Sequence, residues 1–124
     1  MCKLVEIENS EKNMVRVAEI KKDCILNVIH SCELCPDIHS VVLFGSGVRE
    51  DCSVPSDVDI AVFGDKSKAK MFKSSSYRKF VNSVCSCGEL QDYDILYFDR
   101  TKVTDSLILD NIAQGVVLYK RAQL

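Results

Sequence analysis

Three short apolar runs constrain the fold of this chain more than any other feature of its sequence. They are Ser40–Phe44, Asp57–Phe63 and Asp94–Phe98, each rich in β-branched or aromatic residues and each shorter than a typical helix. The segments between them carry apolar residues at spacings of three and four, which is typical of helices that pack on one side. The alternation predicts an α/β domain whose helices cover a small, mixed β-sheet.

The first helix is predicted to begin at Met14 and to end before Pro36, because apolar residues recur between them at helical spacing. Lys21 and Lys22 fall on the other side of this helix, where we expect them to face solvent. The preceding residues, Leu4–Glu8, fit either an edge strand or the entry to the helix. The N-terminal part is therefore expected to supply a helix that covers the sheet.

A second helical segment is predicted over residues 66–84, and Ser74–Ser76 weakens its middle enough to divide it into two helices. Its expected core-facing residues are Ala69, Phe72, Phe80, Val81 and Val84. Thr104 is expected to cap a last helix that runs through Ile112 and stops at Gly115. Val116–Tyr119 then forms a short final strand or an extended tail.

The length and charge of the chain exclude several classes of protein. Its 124 residues fit a single domain, which we expect to span residues 1–124. The net charge of −2 argues against a protein that coats nucleic acid non-specifically. No apolar run approaches the roughly 18 residues of a membrane span, and the N-terminus lacks the apolar stretch of a signal peptide. We therefore expect a cytoplasmic protein whose seven cysteines are reduced thiols, several of them buried.

A glycine-rich turn follows the first apolar run. Gly45-Ser46-Gly47 breaks the strand and leads into a predicted helical turn over residues 48–51. Glycine lets a backbone approach a bulky anion closely, and N–H groups at the start of a helix point toward that anion. Ser46 adds a hydroxyl donor. The Gly45-Ser46 turn is therefore expected to bind the β- and γ-phosphates of a nucleotide.

Three aspartates are candidate metal ligands beside this turn. Asp57 and Asp59 lie two residues apart on a predicted strand, so both carboxylates project from one face, with Cα atoms about 6.6 Å apart. Asp94 opens the next strand and joins them if the two strands are neighbours; Asp92 shares its parity, whereas Asp99 has the opposite parity. Carboxylates bind hard divalent cations such as Mg²⁺, and two such ions can clamp the attacking and leaving oxygens of an in-line displacement.

This region resembles the signature of the DNA polymerase beta-like nucleotidyltransferase superfamily, in which Gly-Ser is followed after ten residues by Asp-x-Asp. Gly45-Ser46 and Asp57-Val58-Asp59 match it with the spacing intact. In small members the consensus is similar to Gly-Ser-x-Ala-Arg-Gly, a loop and Ser-Asp-x-Asp-Leu, which places Arg49 and Ser56 among the expected nucleotide-binding residues. The C-terminal Gln114–Tyr119 is also similar to the minimal nucleotidyltransferase (MNT) subgroup.

The resemblance implies a nucleotidyltransferase fold and metal-dependent transfer of a nucleoside monophosphate, AMP from ATP, with release of pyrophosphate. Asp57, Asp59 and Asp94 would hold two Mg²⁺ ions, for which Mn²⁺ could substitute, and would carry the catalysis. The chain leaves little room for an acceptor-binding domain, so the acceptor pocket is expected from another chain. In similar small proteins that chain is an all-helical HEPN-type toxin, and the nucleotidyltransferase acts as its antitoxin by transferring AMP to a toxin side chain.

The sequence also allows two alternatives to an antitoxin that modifies its toxin. The chain could be a homodimeric nucleotidyltransferase that binds a small-molecule acceptor between two copies of itself. It could also be a binding module that neutralises a partner by contact, because Glu50 stands where the family usually has Gly and places a negative charge near the phosphate turn. Val48 is a milder departure, at a position where the family often has Ala.

Two weaker sequence patterns each have a functional and a purely structural interpretation. Residues 66–80 contain six basic side chains and no acidic one, which suits a surface for triphosphate, RNA or an acidic partner, or simply a solvated helix face. His30, Cys32, Cys35 and His39 are spaced like metal ligands, but Pro36 interrupts them, and we expect ordinary thiols and surface histidines.

Overall fold

The chain begins with a β-hairpin, where the sequence pattern had predicted the start of a helix at Met14. In the computed structural model, which describes residues 2–88, 90–102, 110 and 112–122, strand β1 (Leu4–Glu8) pairs antiparallel with β2 (Met14–Ala18). The helix prediction was wrong here because the apolar positions of this segment fit both a helix and a short strand, and pairing with β1 decides between them. Asn9 closes the turn, since its side-chain oxygen accepts hydrogen bonds from the backbone N–H groups of Glu11 and Asn13.

The first helix begins later than predicted and ends where expected. A 3₁₀ turn over Glu19–Lys21 leads into α1 (Lys22–Ser31), and a second 3₁₀ turn over Cys32–Leu34 follows. The helical conformation thus ends before Pro36. Proline has no backbone N–H and cannot continue the hydrogen bonds of a helix. Ile25 and Val28 are buried and anchor α1 on the sheet.

A four-stranded mixed sheet forms the centre of the fold, as the sequence predicts. Its strands are β3 (Ile38–Phe44), β4 (Val58–Gly64), β5 (Tyr93–Asp99) and β6 (Val116–Lys120). Their order across the sheet is β5-β4-β3-β6, with β4 and β5 parallel and the other pairs antiparallel. The final apolar segment is therefore a sheet strand rather than an extended tail.

The second helical segment is divided at Ser74, which confirms the prediction. Helix α2 (Lys68–Lys73) ends there and α3 (Ser75–Cys85) begins, and the Ser74 hydroxyl accepts a hydrogen bond from the N–H of Tyr77. Two of the expected core residues were wrong, since Ala69 and Phe72 are exposed. The division changes the helix phase, so that Met71 and Tyr77 face the core instead. Phe80 and Val84 are buried and Val81 is half-buried, as predicted.

The predicted last helix lies partly outside the described residues. Thr104 and most of the segment up to residue 111 belong to that part, while Ile112 is helical and buried. Gly115 follows and packs against the carbonyl of Leu43, where a side chain would collide. This contact fixes the entry to β6 beside the end of β3.

The hydrophobic core fills the space between one face of the sheet and helices α1 and α3. Along β4 the residues Val58, Ile60 and Val62 point into this core, so that Asp59, Ala61 and Phe63 project from the opposite face. The acidic residues of the Asp-x-Asp pattern are therefore kept out of the core by the parity of their strand. No helix in the described part of the chain is long and apolar enough to cross a membrane.

All seven cysteines are free thiols, and Cys32, Cys35 and Cys52 are buried among apolar residues, as expected. Burial raises the pKa of Cys32 far above that of an ordinary thiol. Cys32 and Cys35 belong to no group of His, Cys, Asp or Glu side chains, within the described residues, that could hold a metal ion.

Candidate active site

The three predicted aspartates meet at one edge of the sheet. Asp59 on β4 is the direct partner of Asp94 on β5 in the parallel register, so the two side chains leave neighbouring strands on the same face. Asp57 comes directly before β4 and shares the parity of Asp59. The expectation that the third strand lies beside the second is confirmed. Asp99, in contrast, lies at the far end of β5, where it pairs with Gly64 and accepts hydrogen bonds from Thr101.

The charges of these side chains act on one another. Burial raises the pKa of Asp59 above its ordinary value, and the negative charges of Asp94 and Asp57 raise it further. Arg49 acts in the opposite direction. This edge of the sheet is therefore a concentrated negative site that a cation would stabilise.

Gly45 joins the glycine-rich turn directly to the acidic group. Phe44, the last residue of β3, is the register partner of Asp59, and Gly45 follows with φ of +70°. A Cβ atom at position 45 would collide with the Oδ2 atom of Asp59. Glycine is thus required at this position both for its left-handed backbone and for the close approach of the carboxylate.

The turn itself begins three residues earlier than predicted. A 3₁₀ turn covers Gly45–Val48, whereas the expected helical turn over residues 48–51 is not formed. The carbonyl of Ser46 accepts a hydrogen bond from the N–H of Arg49, and Gly47 is buried against Leu43. Ser46 is half-buried, so its side chain is only partly removed from solvent.

The turn and the acids lie in a row across the sheet edge. Because the strand order is β5-β4-β3, Asp94, Asp59 and the Gly45 turn occupy three neighbouring positions, with about 4.8 Å between adjacent strands. An anion bound at the turn and a second group bound beside Asp94 would therefore approach Asp59 from opposite sides.

A pocket of about 310 Å³ opens beside the turn. Its lining residues are Phe44, Gly45, Val48, Arg49 and Gln114. The volume lies at the lower end of the range for small-molecule sites. Gln114 enters the site from the segment before β6, and its only sequence signal was its place in the C-terminal motif.

Arg49 and Ser56, the other two residues expected to bind nucleotide, make local contacts. The Nε atom of Arg49 donates a 3.0 Å hydrogen bond to Asp51, and both side chains are largely exposed. The Ser56 hydroxyl accepts a hydrogen bond from the N–H of Ser53 and lies 2.9 Å from its hydroxyl, which closes the loop before Asp57. Arg49 borders the pocket, whereas Ser56 shapes the loop.

Lys21 supports the site, and its predicted position was wrong. It was expected to face solvent, yet it is only 2% exposed. Its Nζ atom donates hydrogen bonds to the carbonyl oxygens of Val54 (2.8 Å) and Ser56 (2.7 Å) and to the side-chain oxygen of Gln91. Gln91 in turn donates to the carbonyl of Ser56. These bonds hold the loop that delivers Asp57, and they satisfy a buried ammonium group with neutral acceptors.

The residues present fit a hard divalent cation. Asp57, Asp59 and Asp94 offer carboxylate oxygens, and Mg²⁺ is commonly held by one or two protein carboxylates together with phosphate oxygens of the substrate. Within the described part of the chain, no group of three or more His, Cys, Asp or Glu side chains could hold a metal ion by itself. The assignment of two metal ions to the three aspartates stays a prediction.

The basic segment lies far from this site. Strand β4 runs from Asp59 to Gly64, a distance of about 16 Å at strand rise, before the chain reaches α2. The basic side chains from Lys66 to Lys79 are exposed, and Lys66, which follows the far end of β4, pairs with Asp37. The start of the basic segment is therefore separated from Asp59 by most of the length of β4.

Comparison with known proteins places the chain in a family. It is similar to a chain of the solved complex of a tri-AMPylated Shewanella oneidensis HEPN toxin with an MNT antitoxin, at 19% identity and a TM-score of 0.46, over 82% of this chain and 73% of that one. No curated protein matches it. The family model for polymerase beta nucleotidyltransferases matches residues 26–124, which include the turn and all three aspartates. The chain therefore belongs to the polymerase beta nucleotidyltransferase family.

Proposed function

We propose that this protein is a metal-dependent nucleotidyltransferase that transfers AMP from ATP to a hydroxyl group of a partner protein. The observation that carries the proposal is the row formed by the Gly45 turn, Asp59 and Asp94 across neighbouring strand positions. Nucleotidyl transfer needs such an arrangement, because the leaving pyrophosphate and the attacking oxygen lie on opposite sides of the α-phosphorus. Family membership supports the reaction class.

The residues of this row bind different parts of the nucleotide. The triphosphate lies with its β- and γ-phosphates at Gly45 and Ser46, on the turn that follows β3. The nucleoside extends into the pocket bordered by Arg49 and Gln114. This placement brings the α-phosphate to Asp59, between the turn and Asp94.

Transfer forms a bond between the acceptor oxygen and the α-phosphorus and breaks the bond from that phosphorus to the oxygen that bridges to the β-phosphate. Pyrophosphate leaves on the side of the turn, and the acceptor hydroxyl gives its proton to the carboxylate of Asp94. Mg²⁺, held by Asp57 and Asp59 with the phosphates, would neutralise the negative charge that develops on the phosphate oxygens. The protein contributes mainly position and charge, since Lys21 and Gln91 hold the loop that presents Asp57.

The acceptor approaches from the β5 side of the sheet. β5 is the terminal strand of the sheet as described, and Asp94 is exposed on it. A protein side chain could reach Asp94 there without passing the nucleotide. The resemblance of the sequence to the MNT subgroup is the reason to propose a HEPN-type toxin as this partner, with the chain acting as its antitoxin.

The proposal is tested with ATP labelled at the α-phosphate, incubated with Mg²⁺, the purified chain and a co-expressed helical partner. We expect label on the partner, and a decrease of at least 100-fold in its rate of appearance for Asp57→Asn and Asp59→Asn. Asp99→Asn is the matched control, because it changes an aspartate of the same sheet at the opposite end. Undiminished transfer by both site variants would exclude this site.

Binding of the nucleotide separates an enzyme from a module that acts by contact alone. Ligand at 100 times its dissociation constant stabilises the folded state by about 2.7 kcal/mol. We expect Mg²⁺-ATP to raise the melting temperature of the wild type and not that of Asp59→Asn. Absence of any shift at millimolar nucleotide would favour the contact module, and labelling of small hydroxylated acceptors by the chain alone would favour the homodimeric enzyme.

A further inference from the structure

Cys24 and Cys87 form a close pair of thiols outside the candidate active site. Their Sγ atoms lie 2.8 Å apart, and both side chains are half-buried. A disulfide bond has a length of about 2.05 Å, so the two sulfurs need to approach by less than about 1 Å to reach bonding distance. Cys24 and Cys87 thus differ from Cys32 and Cys35, which are fully buried.

Polar contacts join α1, which contains Cys24, to α3, which ends two residues before Cys87. The side-chain amide of Asn27 donates a 2.8 Å hydrogen bond to the carbonyl of Ser83, and the hydroxyls of Ser31 and Ser83 are 2.6 Å apart. Cys24, Asn27 and Ser31 follow one another on a single face of α1, at spacings of three and four. The thiol pair is thus the next contact in a series that joins α1 to α3.

The backbone around Cys87 is fixed from two further directions. The hydroxyl of Tyr93 donates a 2.7 Å hydrogen bond to the carbonyl of Cys87. Gly88 follows in the left-handed region with φ of +79°, and a Cβ atom there would lie 3.5 Å from the Sγ atom of Cys24. The two thiols are therefore held together by their surroundings as well as by their own contact.

The two thiols are chemically distinct. Cys87 donates the hydrogen bond to Cys24, and this bond, together with burial, raises the pKa of Cys87 to about 11. Cys24 accepts this hydrogen bond and donates its own to the carbonyl oxygen of Cys87, over 3.5 Å.

We propose that Cys24 and Cys87 are an oxidation site, at which a peroxide converts the two thiols into an intramolecular disulfide. The sulfur of Cys24 attacks one peroxide oxygen and breaks the O–O bond, which gives a sulfenic acid and one water molecule. The sulfur of Cys87 then attacks the sulfur of Cys24 and releases a second water molecule. Two electrons pass from the thiols to the peroxide, and both thiol protons leave in the water.

A disulfide between Cys24 and Cys87 would join the same two segments that the hydrogen bond from Lys21 to Gln91 already connects. Lys21 lies three residues before Cys24, directly before α1, and Gln91 lies four residues after Cys87. The disulfide would therefore hold together the supports of the loop before Asp57. Oxidation is expected to strengthen this region rather than to unfold it.

The test treats the purified, reduced chain with hydrogen peroxide and maps its peptides without reducing agent. We expect a mass loss of two hydrogen atoms and a linked peptide pair that contains Cys24 and Cys87. The melting temperature should rise by roughly 5–15 °C, because a disulfide between distant residues constrains the unfolded chain, and dithiothreitol should reverse the rise.

Serine variants decide between this pair and the other thiols. Cys24→Ser and Cys87→Ser should each abolish the link and the rise in melting temperature, while Cys85→Ser, an exposed thiol two residues from Cys87, should leave both intact. A predominant link through another cysteine would overturn the proposal. So would a chain whose Cys24 and Cys87 still react fully with an alkylating reagent after Cys85 has been oxidised.

Discussion

The ammonium group of Lys21 donates a 2.7 Å hydrogen bond to the carbonyl oxygen of Ser56, the residue directly before Asp57. The position of an aspartate in the candidate site is thus set by a lysine that precedes the first helix. The same ammonium group reaches the carbonyl of Val54 and the side chain of Gln91, so one buried charge joins three separate segments. Removing it would leave the Ser56 carbonyl with Gln91 as its donor and would break the hydrogen bonds to Val54 and to the side chain of Gln91.

Replacing Lys21 by Met should lower the free energy of unfolding by about 2–4 kcal/mol, because three hydrogen bonds from a buried charged group are lost. Urea denaturation measures this loss. Lys22→Met is the matched control, since Lys22 is exposed and adjacent, and it should change stability by less than about 0.5 kcal/mol. Equal effects of the two substitutions would contradict the role assigned to Lys21.

Replacing Gly45 by Ala should lower the free energy of unfolding by more than about 2 kcal/mol. The backbone there is left-handed, which costs a residue with a Cβ atom about 1–2 kcal/mol, and the new methyl group collides with the carboxylate of Asp59. The two causes separate in a double-mutant cycle with Asp59→Ala, where only the backbone cost should remain. Identical costs in both backgrounds would show that Asp59 does not press on position 45.

The strands that carry the candidate active site could be predicted because the sequence features that indicate them are local. The run that ends at Phe44 is closed by glycine, and the parity of a strand alone places Asp57 and Asp59 on one face. That Asp94 joins them depends on which strands are neighbours, and the sequence could state this only as a condition. The parallel pairing of β4 with β5 meets that condition.

The N-terminal hairpin could not be predicted because distant contacts decide it. Met14–Ala18 is short, and its apolar residues suit both helical and strand spacing. Its strand conformation depends on β1 and on a turn that is tied to β6, where the side-chain amide of Asn9 donates a 3.0 Å hydrogen bond to the carbonyl of Val117. Lys21 was misplaced for the same reason, since its acceptors come from loops much later in the chain.

Replacing Ser74 by Ala should lower the free energy of unfolding by about 1 kcal/mol, because α3 loses the hydroxyl that accepts from the N–H of Tyr77. Ser75→Ala is the matched control: Ser75 is exposed in the first turn of α3, where alanine is at least as favourable as serine. Chemical denaturation of both variants gives the comparison. A loss at position 75 as large as that at position 74 would contradict the capping role.

Replacing Asp65 by Asn should remove a contribution to stability that exists only above acidic pH. Hydrogen bonds from Arg100 and Arg121, each 2.8 Å long, hold the pKa of Asp65 below its ordinary value. A carboxylate with a lowered folded-state pKa stabilises the protein above the unfolded-state pKa of about 4, and this contribution disappears as pH falls through the folded-state value.

The ion pairs of Asp65 are partly exposed, so we expect Asp65→Asn to lower the free energy of unfolding by about 0.5–1 kcal/mol at pH 7. Chemical denaturation at pH 7 and at pH 2.5 should show that the difference in stability between this variant and the wild type is smaller at pH 2.5. Asp51→Asn, which removes an exposed pair, should have a smaller effect at pH 7; a difference for Asp65→Asn that grew at low pH would refute the assignment.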